Sequence, residues 1–289
     1  MPDLARIESD DLAVEVSSLG AEMQSITSRD GRSWLWNGDP AFWAGRSPIL
    51  FPIVGKAPDN KVLVEGRAYE MQQHGLARRS EFRLVEAGAS SCLHELAASE
   101  TSRAAYPFDF RLRVRHSVKG PCLTVKAEVT SSGNQPLPFG LGFHPAFVWP
   151  LPGAEGREHF IELDNAAEPG LSRLEGGLRR PGFLASPFAK GRLVLEHCYF
   201  EDDAMIFPEG AGARLSYMAE GGPKLHFTFE NLPNLALWTK PGAPFLCIEP
   251  WHGTAPEIGA SAEIAARPYA LSLAPGASTK FAFSVTIGG

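Results

Sequence analysis

Short stretches in which apolar and polar residues alternate recur along the whole chain: LAVEVSS, SITS, KVLVEG, EFRLVEAG, FRLRVRHSV, CLTVKAEVT, RLVLEH, KLHFTFEN, FLCIEP and KFAFSVTI. A period of two puts successive side chains on opposite faces, so each stretch predicts a β-strand with one face buried. Clusters of Gly, Pro, Asn and Ser separate them, and 29 Gly with 24 Pro suit a chain rich in turns rather than helices. Nothing alternates strand with helix, which excludes a βαβ architecture. The pattern predicts an all-β fold, a large antiparallel two-sheet β-sandwich with few short helices. Helical turns are expected near DPAFW and within residues 165–190, a stretch that otherwise reads as a long loop.

A chain of 289 residues can bury a sizeable core, and one domain spanning 1–289 is expected because no linker, repeat or low-complexity tract divides it. The 44% hydrophobic and 21% charged residues are ordinary for a globular protein and exclude a disordered or fibrous class. A net charge of -6 offers no basic footprint for nucleic acid. The start, MPDLARIESDDLAVEV, lacks the basic and apolar regions of a signal peptide, and no run reaches the length of a membrane span, so a cytoplasmic protein is expected. Cys92, Cys122, Cys198 and Cys247 form no CxxC pair; they are expected to be reduced, mostly buried thiols rather than zinc ligands or disulfides.

A polar residue inside an apolar strand needs a reason. In PFGLGFHPAFVW (138–149), alternation puts Phe139, Leu141 and Phe143 on one face and Gly140, Gly142 and His144 on the other. Two positions without side chains leading to an imidazole suit close approach of a flat ligand to a proton-transfer residue. The alternative is a hydrogen-bonded structural histidine. In PFLCIEPWHG (244–253), Glu249 interrupts an apolar run and is followed by Trp251 and His252. A buried carboxylate there requires partners or a raised pKa, which brings it toward use as a base; the alternative is a Glu pointing outward at a strand end. Metal binding by Glu249 and His252 is disfavoured, because ligands at that spacing ride a helix and Pro250 opposes one. A third region, residues 34–78, gathers Trp34, Trp36 and Trp43 around Arg46 and places His74 and Gly75 at a strand end. Arg and His offer hydrogen bonds to hydroxyls, and the aromatics offer flat apolar faces to a sugar ring. Any one of these residues could equally belong to a Trp-rich core with a capping Arg.

Taken in order, GAEMQSI (20–26), LWNGDPAFWAGRSPILFPIVG (35–55), QHGLAR (73–78), GFHPAF (142–147) and CIEPWHG (247–253) resemble the aldose 1-epimerase (galactose mutarotase) family, and within it the LacX-like group. The resemblance covers the whole chain. It implies a galactose mutarotase-like supersandwich with a sugar cleft on one sheet, no cofactor and no metal, and a partner that is a small sugar. Glu249 would be the general base at the anomeric hydroxyl and His144 the general acid at the ring oxygen, the two exchanging roles as the ring closes on its other face. Arg46 and His74 match positions that grip sugar hydroxyls; Trp251 is assigned to the substrate site with them. An aspartate of the family maps onto HCYFEDDAMIF, with Asp203 preferred over Asp202. The chain is expected as a monomer or homodimer.

Three other readings stay open on the sequence. A hexose-6-phosphate 1-epimerase would draw a phosphate pocket from Lys56, Arg78 and Arg79. A non-catalytic sugar sensor could use the aromatics, Arg46 and His74 without needing Glu249 or His144. A glycoside hydrolase could pair Glu249 with Asp203, although the strongest motif supplies a histidine where that chemistry wants a carboxyl group.

Overall fold

The computed structural model describes residues 2–288. Strand accounts for 47% of residues and helix for 7%, which makes the fold all-β. A nine-stranded antiparallel sheet runs from Arg192–Val194 at one edge, through Lys224–Glu230, Ser278–Gly288, Cys122–Ser131 and Phe110–Lys119, to Ser91–Ala97 and Arg83–Ala87 at the other. It faces a second sheet ordered Met205–Phe207, Asn234–Trp238, Phe245–His252, Leu141–Phe143 and Ile49–Leu50, with Ala146–Val148 also paired to Phe245–His252. A three-stranded sheet, Leu4–Glu8, Leu12–Ser17 and Met23–Ser28, packs on the Ser91–Ala97 end of the larger sheet.

Aromatic side chains tie the layers together. Phe143 meets Phe283 at 5.0 Å between ring centroids and Phe147 meets Phe227 at 5.1 Å, each near edge-to-face, the geometry that ring quadrupoles favour. Phe139, Leu141 and Phe143 all enter this core, as alternation predicts.

Each of the ten alternating stretches contains a strand. Asn234–Trp238 gave no alternating signal because both its faces are covered, which leaves a continuous apolar run. DPAFW forms a turn, closed by Trp43 N–H donating to Asp39 O at 2.9 Å, and residues 165–190 carry a two-stranded hairpin, Leu174–Glu175 with Leu178–Arg179. The α-helix lies instead at Glu100–Ala105, where the Ser99 hydroxyl accepts from Ser102 N–H and the Ser102 hydroxyl from Ser99 N–H; this reciprocal cap, built from two serines, has no Glu to advertise it. The four thiols are unpaired, with Cys92 and Cys247 buried, Cys122 half-buried and Cys198 exposed.

Candidate active site

Two short strands share one edge of Phe245–His252. Leu141 lies opposite His252 and Gly142 opposite Trp251; after a gap the ladder resumes in the same register, with Ala146 opposite Cys247 and Phe147 opposite Leu246. Counting through the gap places His144 directly opposite Glu249. Pro145 and Pro250 stand within the gap, and neither can supply a ladder N–H. Directly opposed residues on one face have Cβ atoms about 4.5 to 5.5 Å apart, near enough for their side chains to meet. Alternation sends Leu246 and Ile248 into the inter-sheet core, while Phe245, Cys247, Glu249 and Trp251 emerge on the outer face. On the adjoining strand Ala236 opposes Glu249, and its methyl group leaves room there.

His144 Nε2 accordingly lies 3.1 Å from Glu249 Oε2, with the two residues 6% and 1% exposed. The contact is not aligned as a hydrogen bond: Glu249 Oε2 and His144 Nδ1 are both buried without a partner among the described residues. Trp43 stacks on the imidazole at 4.9 Å and Trp238 meets it edge-on at 5.7 Å, so two indoles fix the ring plane. These groups floor a cavity of about 380 Å³ whose walls include Gln73, His74, Arg78, Arg79, Asp203 and Trp251. That volume lies within the range of about 300 to 1,000 Å³ usual for small-ligand sites.

Burial holds His144 well below the usual histidine range, helped by His74 and the Arg78 charge. Burial also pushes Glu249 well above the carboxylate range; Asp203 adds to the effect, and Arg78 opposes it. Both shifts favour neutral groups, as expected where charge is poorly solvated.

His74 and Asp203 are the two non-glycine cavity residues in the left-handed region, with φ of 67° and 61°. Such backbone is held only where its surroundings over-determine it, and it concentrates at functional sites. For His74 the constraint is visible. Its Nδ1 accepts from Gly55 N–H at 3.1 Å, and burial, reinforced by Arg78 and Arg79, lowers its pKa to about 3. A neutral ring accepting at Nδ1 carries its proton on Nε2, so His74 is a hydrogen-bond donor at its other nitrogen, which lies 3.3 Å from the Gln73 side-chain amide. Gly75 cannot be replaced there: at φ 74° an added Cβ would sit 2.2 Å from Phe51 O.

Of the residues singled out in the sequence, Glu249, His144, His74, Asp203, Trp251, Trp43, Arg78 and Arg79 line one cavity. Asp202 does not; its carboxylate is paired with Arg180 at 3.0 and 3.1 Å. Arg46 is not brought to the cavity either. Its guanidinium donates to Asn37 O and the Gln24 side chain, and its backbone N–H to Glu22. The cavity's guanidiniums come instead from Arg78 and Arg79, delivered by the 3-10 turn Ala77–Arg79 that follows His74. Trp34 belongs to the core and Trp36 to the packing behind Trp43. Lys56 reaches Gly176 O rather than the cavity. Gly142 makes way for a side chain of the protein: an added Cβ would lie 2.5 Å from the Trp251 ring. Trp238 carried no motif, and only the outward face shared by Asn234, Ala236 and Trp238 could have pointed to it.

His252 lies outside the cavity and its Nδ1 is 2.9 Å from Asn231 O, so the Glu249–His252 metal pair is not formed. His144, Cys247 and Glu249 do bring one ligand atom each within 4.8 Å of one another. Burial pushes the Cys247 thiol well above its usual range.

A model of the aldose 1-epimerase family matches residues 3–262. The chain belongs to the aldose 1-epimerase family. Similarity to family relatives runs the length of the chain: the chromosomal form of protein LacX from Lactococcus lactis subsp. lactis is 28% identical over 300 residues, covering 97% of this chain and 98% of that protein. A galactose mutarotase related enzyme from Lactobacillus acidophilus superposes with a TM-score of 0.94 at 26% identity, over 99% of this chain and 98% of that one. A galactose mutarotase-like protein from Lactobacillus casei ATCC 334 shares the fold, with a TM-score of 0.92 at 24% identity over 99% of this chain and 100% of that one. Membership in the aldose 1-epimerase family supports a carbohydrate epimerase. No helix among the described residues is long and apolar enough to cross a membrane.

Proposed function

We propose that the protein is an aldose 1-epimerase that interconverts the α and β anomers of a free aldohexose by proton transfer between Glu249 and His144. The observation that carries this reading is their approach to 3.1 Å on the floor of a sugar-sized cavity. Ring opening requires one proton removed from the anomeric hydroxyl and one delivered to the ring oxygen, two atoms bonded to a single carbon. A carboxylate at 249 and an imidazolium at 144 perform these transfers and finish as carboxylic acid and free imidazole; ring closure on the other face reverses them. The pair holds one proton throughout. Burial favours the second arrangement, and the Arg78 charge draws Glu249 toward the first. Acid and base groups so placed each contribute roughly 10²- to 10⁴-fold in rate. His74 Nε2–H and Arg78 supply donors for sugar oxygens, Asp203 an acceptor, and Trp238 an apolar face.

The test follows equilibration of freshly dissolved α-D-glucose and α-D-galactose by polarimetry, with wild type, Glu249→Gln and His144→Ala, and anomer exchange of glucose 6-phosphate by NMR. Wild type is expected to accelerate the free sugars and both variants to run near background. Equal rates across the three proteins would reject the assignment. Acceleration of the phosphorylated sugar alone would move it to a hexose-6-phosphate 1-epimerase, with Arg78 and Arg79 as phosphate ligands.

A further inference from the structure

On the inward face of the nine-stranded sheet, Cys92 lies directly opposite His116 in the ladder between Ser91–Ala97 and Phe110–Lys119, and His94 follows Cys92 by two residues on the same face. The first strand of the three-stranded sheet packs over this place. Cys92 is fully buried and each histidine is 1% exposed. One nitrogen from each imidazole and the Cys92 sulfur lie within 4.8 Å of one another, and the two rings stand 6.5 Å apart, edge to face. Nδ1 of His94 and Nδ1 of His116 are both buried without a hydrogen-bond partner among the described residues. Buried imidazole nitrogens are nearly always paired, because an unpaired one forfeits its hydration with no return. Here two go unpaired beside a thiol, in a layer otherwise filled with apolar side chains.

We infer that Cys92, His94 and His116 form a binding site for a single soft metal ion, copper(I), separate from the sugar cavity and independent of the function proposed above. Thiolate and imidazole together select soft or borderline ions over magnesium or calcium. Metal–nitrogen and metal–sulfur bonds of about 2.0 and 2.3 Å place trigonal ligands roughly 3.5 to 3.7 Å apart, so closure by about 1 Å completes the set. Charge chooses the ion. Burial raises the Cys92 thiol to about 11, so copper(I) binds by displacing its proton to solvent during refolding. The resulting set of one thiolate and two neutral imidazoles with copper(I) has no net charge, which an apolar layer tolerates, whereas zinc(II) on the same ligands leaves a buried positive charge. Copper(I) also accepts three ligands, while structural zinc wants four.

The site is closed, so loading is tested by refolding the full chain from urea with copper(I) under anaerobic conditions and in competition with bicinchoninate. A Cys122→Ser/Cys198→Ser background removes the accessible thiols. One equivalent of copper is expected to be withdrawn per chain, with an X-ray absorption signature of one sulfur and two nitrogens, and with uptake abolished in Cys92→Ala and in His116→Gln. Urea midpoints establish that the variants fold. Should either variant fail to fold, the absorption signature of the parent chain decides. No uptake by the parent, uptake that survives Cys92→Ala but is lost in Cys247→Ala, or preference for zinc(II) over copper(I) would overturn the proposal.

Discussion

Glu249 is kept where its charge costs stability. It is 1% exposed and its pKa is raised chiefly by burial. Below the ordinary glutamate pKa of about 4.3 the folded and unfolded chains are both protonated there, and the residue costs nothing extra. Above it the unfolded chain ionises while the fold retains the proton, so stability falls by roughly 1.4 kcal/mol per pH unit until the folded pKa is passed. Glu249→Gln is therefore expected to raise the urea midpoint, by a margin that widens as the pH rises above the ordinary glutamate pKa. A constant or shrinking margin would show that the carboxyl group is already ionised in the fold. At this scale the reactive residue types were legible because each broke an apolar pattern: Glu249 in FLCIEP and His144 after GLGF. Arg78 was harder to place, since QHGLARR offers two guanidiniums and only the turn Ala77–Arg79 decides how each is presented.

At the level of elements, the alternation around Gly142 specifies the residues of its inward face and leaves open what fills its outward one. Phe139, Leu141 and Phe143 are core residues, but the gap at Gly142 is filled by the Trp251 indole from the opposing strand. Gly142→Ala is expected to push that indole aside, since the new methyl would approach its ring to 2.5 Å and Leu50 to 3.2 Å. Overpacking of this kind costs about 1 to 3 kcal/mol. The protein should thus stay folded while kcat/KM falls about tenfold or more with the sugar that wild type accepts. A lower melting temperature with unchanged kcat/KM would mean that Trp251 has no part in sugar binding. The cross-strand partner could not be named beforehand, because an alternating pattern specifies a face and not a neighbour.

Across the whole molecule, the proposed catalytic pair is supported by the aromatic layer beneath it. Phe143 precedes His144 and rests on Phe283 of the nine-stranded sheet. Phe283→Ala is expected to destabilise the fold by about 3 to 5 kcal/mol, and to leave the sugar KM near that of wild type at temperatures where the variant is folded, because Phe283 does not line the cavity. Circular-dichroism melts with kinetics well below the transition would check both; a large change in KM would show that the layer governs the shape of the site as well as its stability.

The amino-acid sequence by itself determined the all-β class, the inward faces of the strands and the types of residue able to move protons, because side-chain period and the cost of burying polar groups act locally. Its family strings carried the likeness to aldose 1-epimerases. Only the tertiary structure decided that the strands bearing His144 and Glu249 pair in the one register that opposes them, that Arg78 rather than Arg46 enters the cavity, and that Asp203 rather than Asp202 faces it. Those outcomes depend on contacts between segments more than a hundred residues apart, selected when the two sheets close over a shared core.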